Sequence, residues 1–550
     1  MVSSEKENKN MLPEKTQVLI VGGGIAGLTA SLLFARYGIR SLLIERHTGT
    51  SIHPRARGVN ARSMEIYRNL GLEEKIREVG KELQPAVGFL KGATLREALE
   101  DVVPAEQKQM REAWQRAEMS PTARSRGTQD LVEPILLQEA REHGSEVSFS
   151  TELLSLEQDE QGVIAHVCDR VSREERTINA AYMIGADGAN SAVLRILGIE
   201  LSGDKTFGHL LNILFHADLR AFVEGKEFSQ CLIERPEMAG VLLAINNSDR
   251  WTFQLVYHPE RGERPEDFPL ERCQALLTQA IGLPNVEVEV SAILPWTARA
   301  CIADTLQQGR VFLAGDAAHQ VTPWSGLGAN TGIADVHNLA WKLAAVLQGV
   351  AGSALLDTYT VERWPVGRAA VDFAISQTGE DGLPRSERFE RNLASAATLS
   401  SGSVQAGLGY QYTSQAIMTE QDADPEKGER DLNGQPGTRV PHLWLSYQGE
   451  RISTVDLASG SMVLLAGPEG DTWCDAARVT AARLHIELEA CRIATDSEYS
   501  DPEQHWPEQA GIHADGALLV RPDGVVAWRA KTGADEPQQL LEQVFSTLLV

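Results

Sequence analysis

Residues 18–35, VLIVGGGIAGLTASLLFA, constrain this chain more than any other stretch. Four glycines, Gly22, Gly23, Gly24 and Gly27, interrupt an apolar run in the spacing GxGxxG. A helix that crosses a membrane needs about 20 apolar residues and is weakened by adjacent glycines. The polar segment in front, MVSSEKENKNMLPEKTQ, lacks the basic start and small-residue cleavage site of a secretory signal. The stretch therefore reads as strand, tight turn and helix. QVLIV suits a parallel strand buried on both faces. From Ile25 to Arg36, Leu28, Leu32 and Ala35 share one helical face, and Gly38 follows the end. RSLLIE reads as a second strand ending at Glu45, 18 residues after Gly27.

That order of parts has a chemical meaning. Gly22 permits the tight turn, Gly24 lets backbone N–H groups approach a diphosphate, and Gly27 allows the helix to lie close on the strand. The start of the helix carries partial positive charge for the phosphates. Glu45 is placed to accept hydrogen bonds from a ribose, and Arg46 follows it. A dinucleotide site is the reading that uses all of these features.

The ligand's phosphates must be held locally, because 51 basic against 76 acidic residues leave a net charge of −25. Such a balance disfavours nucleic acid or an anionic membrane as a partner. The 43% hydrophobic and 23% charged residues are those of an ordinary globular protein, and 550 residues suffice for two or three domains. The six cysteines, Cys168, Cys231, Cys273, Cys301, Cys474 and Cys491, form no CxxC, so neither a disulfide framework nor a metal site is expected, and the cytoplasm fits best.

A second glycine loop decides which dinucleotide. Residues 310–349, RVFLAGDAAHQVTPWSGLGANTGIADVHNLAWKLAAVLQG, read as strand, loop and long helix, with Ile333, Val336, Ala340, Leu343 and Leu347 at helical spacing. GRVFLAGDAAH, MIGADGANSAVLRILGI at 183–199 and the GxGxxG unit together resemble the single-component FAD-dependent aromatic hydroxylases of the para-hydroxybenzoate hydroxylase type. All three motifs stand in the family's order.

The resemblance implies roles for particular residues. Asp316, after Gly315, accepts from the ribityl chain of FAD, or is only a loop cap. Gly328, Ala329 and Asn330 open the following helix and face the pyrimidine end of the flavin, although Asn330 alone also suits a helix cap. In HPRARGVNARSMEIYRNLGL, Arg57 rather than Arg55 or Arg62 is expected at the FAD phosphates. Gln129 matches a glutamine on the diphosphate side, and Asp187 one associated with both FAD and nicotinamide. Leu194 stands where the family has an arginine, with Arg195 one position on, about 100° around a helix. Pro323 matches a proline beside the flavin. Trp324 either lines the substrate pocket or plugs the sheet, and Trp296 either borders the substrate or belongs to the core. His209, His216, Tyr257 and His258 are possible acid–base groups, none singled out as catalytic.

The activity implied is that of a monooxygenase. NAD(P)H, docking transiently, reduces FAD; O2 then gives a flavin hydroperoxide whose terminal oxygen passes to an electron-rich aromatic ring. The C-terminal part resembles the phenol and aromatic-polyketide hydroxylase branches, which points to a polycyclic polyketide of natural-product or antibiotic biosynthesis. Baeyer–Villiger or rearrangement chemistry on the same scaffold, a small phenol as substrate, and a non-catalytic FAD-binding partner are the alternatives. The sequence has no second GxGxxG and no CxxxxC, against two-dinucleotide reductases, and no WxWxIP, against halogenases.

The expected fold is α/β: a disordered tail at 1–15, a Rossmann-like FAD-binding domain from 16–200 and 296–392, and an antiparallel β-sheet substrate domain at 201–295. A Gly-, Ser- and charge-rich linker follows at 393–439. Residues 440–550 form a thioredoxin-like domain without CxxC, with a Pro522-Asp523-Gly524 hairpin turn. A monomer or homodimer is expected.

Overall fold

The computed structural model describes residues 12–81, 83, 88–105, 108, 119–390, 407–420 and 432–549. Most of the expected tail, residues 1–11, and residues 393–406 and 421–431 of the expected linker lie outside them. The architecture is mixed α/β and, among the described residues, is organised around three sheets.

In the first sheet Lys15–Val21 is central, parallel to Ser41–Ile44 on one side and to Glu175–Gly185 on the other. Val18, Leu19 and Ile20 are fully buried, which is why this strand reads as an unbroken apolar run. Helix Ile25–Arg36 follows with the bounds that its periodicity predicts, and Gly38, at φ +69°, ends it. Helix Gly328–Leu347 packs beside it. Every residue from Asn330 to Ala344 in that second helix is buried, so its polar members must find partners inside the protein.

The second sheet is built on Leu201–His216, flanked antiparallel by Glu289–Ala303 and Arg250–Tyr257. Met238–Ala244 and Gln230–Arg235 continue it. It also takes in strands from beyond 201–295: Phe89–Gly92 pairs parallel with Gln230–Arg235, and His319–Gln320 closes the other edge. His319–Gln320 lies just after Asp316, so one short loop joins the first sheet to the second.

The third sheet, at the C-terminal end, has Met462–Ala466 parallel to Leu488–Ala494 and antiparallel to Ala517–Val520. Helix Asp471–Leu484 carries Cys474, and strand Leu488–Ala494 carries Cys491; both are buried free thiols. Burial pushes the Cys474 thiol up to about 11, which leaves it a weak nucleophile near neutrality. The turn between Ala517–Val520 and Val526–Ala530 contains the expected Pro522-Asp523-Gly524 and reaches into the first layer. There Arg521 makes a two-point ion pair with Glu362 of helix Thr358–Gln377 (2.6 and 2.9 Å), and Arg62 donates to the carbonyl of Asp523 (2.6 Å). Part of the expected linker is well packed: Leu408 and Tyr412 are each 3% exposed, and the Tyr412 hydroxyl accepts from Arg363 (2.9 Å).

Candidate functional site

The site forms where the two glycine loops meet. At the first, Gly22 adopts φ +113°, and a Cβ there would lie 2.2 Å from the carbonyl oxygen of Ala186. A Cβ on Gly27 would lie 1.9 Å from the carbonyl oxygen of Gly22. These two glycines are needed for close packing. Gly24 differs, since its Cβ would meet nothing nearer than Glu133 Oε1 at 3.7 Å, which leaves room for a ligand against the backbone. Gly23 N–H donates to Glu45 Oε2 (2.7 Å), and Glu45 Oε1 accepts from His47 N–H (2.8 Å). The carbonyl of Arg46 accepts from Arg170 (3.1 Å).

The second loop is pressed onto the first. A Cβ on Gly332 would stand 3.0 Å from Gly315 Cα and 3.5 Å from Ala26 Cβ, so small residues at all three positions let the loop that carries Asp316 approach the start of helix Ile25–Arg36. Neither helix Ile25–Arg36 nor helix Gly328–Leu347 has a side-chain cap at its N-terminus. Two uncapped helix starts together make an environment for anionic or electron-rich groups. Asp316 is exposed to solvent yet closely surrounded by protein, a carboxylate at the floor of a cleft. Loss of hydration raises its pKa, while His319 and Arg55 oppose that shift. Asn330 ties this helix to the arginine-bearing segment: its Oδ1 accepts from Asn60 N–H (2.9 Å) and its Nδ2 donates to the carbonyl of Gly326 (3.0 Å).

These features fit a dinucleotide that spans both loops. The open backbone at Gly24 suits a diphosphate, Glu45 lies on the ribose side, and the cleft carboxylate of Asp316 can accept hydroxyl hydrogens.

Around this centre the other residues singled out in the sequence fall as follows. Asp187 abuts the glycine turn, its Cα 2.8 Å from the position a Gly22 Cβ would take. Its carboxylate accepts from Ser191 Oγ (2.6 Å) and Ala192 N–H (2.6 Å) at the start of helix Ala192–Leu197, and burial raises its pKa. On that helix Arg195 is exposed and Leu194 packs against the core. Gln129 donates to Glu133 Oε1 (2.7 Å). Arg57 donates to the carbonyls of Ser229 (3.0 Å) and Ala244 (3.2 Å), and so joins the two layers. Arg55, two residues earlier, is the exposed arginine whose charge acts on Asp316, Glu133 and His53. Arg62 pairs with Glu65 (2.9 Å).

Pro323 is exposed at the end of the loop, whereas Trp324 is 2% exposed and its indole N–H donates to the carbonyl of Gly382 (2.8 Å). Trp296 is half-buried and donates to Gln254 Oε1 (2.7 Å) on the second sheet. His209 and Tyr257 sit opposite each other in register, on the face of that sheet away from Trp296. His258 pairs with Glu260 (2.8 Å) near the surface, and His216 faces Arg250 at a strand end.

Two sets of residues matter that the sequence reading did not name. Asp335, fully buried, accepts from Gly315 N–H (3.0 Å) and Arg363 Nε (2.8 Å) and contacts His319 Nε2 (2.7 Å). Burial raises the pKa of its carboxyl, but the charges of His319 and Arg363 outweigh this and hold it at about 2. It anchors the loop of Asp316 from behind. Glu133 is the other: it accepts from Ser51 N–H (2.7 Å) and Gln129, and burial raises its pKa. A signal for the first was available, since Asp335, Asn338 and Lys342 are polar within a helix read as core.

Comparison with known proteins agrees with this geometry. Residues 15–374 match the family described as FAD binding domain, and residues 433–549 the one described as aromatic-ring hydroxylase, C-terminal. The sequence is 39% identical to tetracenomycin A2 monooxygenase-dioxygenase from Streptomyces glaucescens, over 98% of each chain. The solved ternary complex of aklavinone-11 hydroxylase with FAD and aklavinone is 36% identical, with a TM-score of 0.84 over 98% of this chain and 100% of that one. The flavin-dependent monooxygenase PieE, solved with FAD and substrate, is 33% identical with a TM-score of 0.85 over 97% of this chain and 99% of that one. Among the described residues no helix is long and apolar enough to cross a membrane, and no group of His, Cys, Asp and Glu is arranged to hold a metal ion.

Proposed function

The chain belongs to the FAD-dependent aromatic-ring hydroxylases, and from that premise we propose that its substrate is a polycyclic aromatic polyketide, hydroxylated with O2 and NAD(P)H. The observation that carries this reading is the meeting of two uncapped helix starts at Asp316, beside a sheet face that is apolar with a few buried polar groups. The substrate class is supported by likeness to polyketide-acting relatives over nearly the whole chain, the second sheet included.

Bound FAD supplies the redox chemistry, taking reducing equivalents from NAD(P)H and using O2 to place one oxygen on the ring. The chain's own part is to bind, orient and exclude water. In this reading the amides around Gly22, Gly24 and Gly27 hold the diphosphate, with Arg55 rather than Arg57 as the cation nearest Asp316. Glu45 takes the adenosine ribose and Asp316 the ribityl hydroxyls. The amides of Gly328, Ala329 and Asn330 face the electron-rich end of the flavin ring. Asp335 keeps the Asp316 loop seated, and Gln129 and Glu133 order the segment across from Gly24. Trp296, Pro323 and the buried wall behind Trp324 border the ring.

The test is to load the purified protein with FAD and supply NAD(P)H, isotopically labelled O2 and candidate aromatic polyketides. The expected result is a product heavier by one labelled oxygen, with one NAD(P)H consumed for each. Reductant consumption that no aromatic compound stimulates, or a protein that takes up no flavin, overturns the reading.

A further inference from the structure

The two faces of the second sheet differ in a way that packing alone does not explain. Side chains alternate along each strand. Leu211, Ile213 and Phe215 point into one closed apolar core, together with Trp251 and Phe253 of the neighbouring strand. The opposite face carries Leu210, Leu232 and Val256, but among them stand Asn212, Gln230, Thr252 and Gln254. Each of these four is at least nine-tenths buried. Gln254 has a partner in Trp296. Asn212 Oδ1 and Gln230 Oε1 accept a hydrogen bond from no atom among the described residues.

Across from Asn212 stands His53, 2% exposed, on the segment that also holds Arg55. Asn212 Nδ2 donates to His53 Nδ1 at 3.4 Å. That contact makes Nδ1 the acceptor and leaves the ring proton on Nε2, which likewise has no partner among the described residues. The imidazole is surrounded by Arg55, Arg250 and Asp130, and burial with the two arginines keeps it neutral, its pKa lowered to about 4.

One donor and two acceptors are thus buried and unmatched at the seam between the flavin-binding layer and the sheet. Buried polar atoms without partners are costly, and three of them on groups that face one seam from two layers mark a place where a ligand's polar groups fit. We propose that His53 Nε2–H and the side-chain oxygens of Asn212 and Gln230 hold the substrate by its ring oxygens, the imidazole donating to a ring carbonyl, the Asn212 amide accepting from a phenolic hydroxyl not chelated to that carbonyl, and the Gln230 amide, three strands away across the sheet, accepting from a hydroxyl toward the other end of the ring system. The ligand class is a hydroxylated aromatic quinone or ketone. Etherified or unsubstituted rings are disfavoured, because they leave the amide oxygens unmatched. This assignment rests on the aromatic-hydroxylase reading and specifies what its substrate must display.

The experiment uses the FAD-loaded protein and two probes: anthraflavic acid, an anthraquinone with one hydroxyl toward each end and none beside a ring carbonyl, and its dimethyl ether. Binding is followed through the flavin absorption spectrum. The wild-type protein is expected to prefer anthraflavic acid by about tenfold or more, the ratio given by one hydrogen bond of roughly 1.4 kcal/mol. Asn212→Leu is expected to bring that preference close to one, with FAD content and affinity for the ether unchanged. His53→Leu removes a donor that both probes use, so it is expected to weaken both about tenfold and to leave their ratio in place. His53→Gln, whose amide N–H reaches toward the Nε2 position, is expected to restore most of that loss. Where Asn212→Leu does not fold, Gln230→Leu supplies the same comparison. Wild-type protein that shows no preference, Asn212→Leu protein that keeps it, or His53→Leu protein that binds both probes as wild type does, overturns the assignment. Protein that prefers anthraflavic acid but hydroxylates no aromatic polyketide sinks the substrate class proposed above and leaves the hydrogen-bonding assignment standing.

Discussion

Two buried polar regions of this molecule are constructed on opposite terms. Between the first layer and the C-terminal sheet, Glu362 accepts from Arg521 twice, from Lys342 (2.8 Å), from Asn338 (2.6 Å) and from Ser414 (2.6 Å). Asp523 accepts from Arg521 (3.0 and 2.5 Å), and almost every member is fully buried. Between the first layer and the second sheet, His53, Asn212 and Gln230 are as deeply buried, yet a polar atom on each lacks a partner. A saturated network fixes one geometry, while an unsaturated one keeps its valences for something that arrives later. The difference separates a joint that holds the molecule together from a wall that recognises a ligand.

The largest effect is expected where saturation is broken. Arg521→Ala leaves Glu362 buried with Lys342 as its ion-pair partner and the Asp523 carboxylate buried without one, and a cost of about 3–5 kcal/mol is expected in denaturant unfolding. Unfolding within 1 kcal/mol of wild type would show that the joint is open in solution. A smaller effect of different origin is expected from pH. The pKa of His53 is lowered from 6.5 to about 4 on folding, so the unfolded chain binds the proton first as pH falls. Its contribution is complete above about pH 6.5 and is lost as the pH approaches 4, at most about 3 kcal/mol at 1.36 kcal/mol per pH unit. His337 and His442 are lowered to about 3 and about 4, so they titrate over the same window. His53→Gln apoprotein is therefore expected to lose less stability than wild type between those limits, but still to lose some.

Much of the first layer and little of the second was legible in the sequence, for physical reasons. Strand Lys15–Val21, the turn at Gly22 and helix Ile25–Arg36 follow from local rules: an unbroken apolar run, a position that requires positive φ, and a helical period. The loop at Gly315 and helix Gly328–Leu347 follow in the same way. The choice between Arg55 and Arg57 does not. They lie two residues apart on an irregular segment, where tertiary packing and not spacing sets the direction of each side chain. Phe89–Gly92 was missed as a sheet strand because it is four residues long and pairs with a strand far along the chain. His209 and Tyr257 were considered as acid–base groups on residue type alone, whereas strand parity puts them on the closed face. Asn212 appears in the sequence as a lone interruption of LNILFH, and only the register shows which way it points.

The two remaining predictions separate ligand recognition from stability. Asp316→Ala removes a carboxylate that loses hydration in the cleft and that, among the described residues, accepts no hydrogen bond that helps hold the fold. It is expected to weaken FAD binding about 10- to 100-fold, the range of a hydrogen bond to a charged group, with apoprotein stability unchanged. Calorimetric titration of apoprotein with FAD measures the first quantity and urea unfolding the second. Gln230→Leu is expected to show the smallest effect and one of opposite sign. Replacing a buried side chain whose oxygen is unmatched by an apolar one of similar size removes a desolvation penalty, so the apoprotein is expected to gain up to about 1 kcal/mol. In the saturated joint truncation at Glu362 or Asp523 can only cost stability, because both oxygens of each carboxylate are already engaged. A loss of more than 1 kcal/mol in Gln230→Leu would mean that Gln230 has a structural partner and that the two regions are built alike.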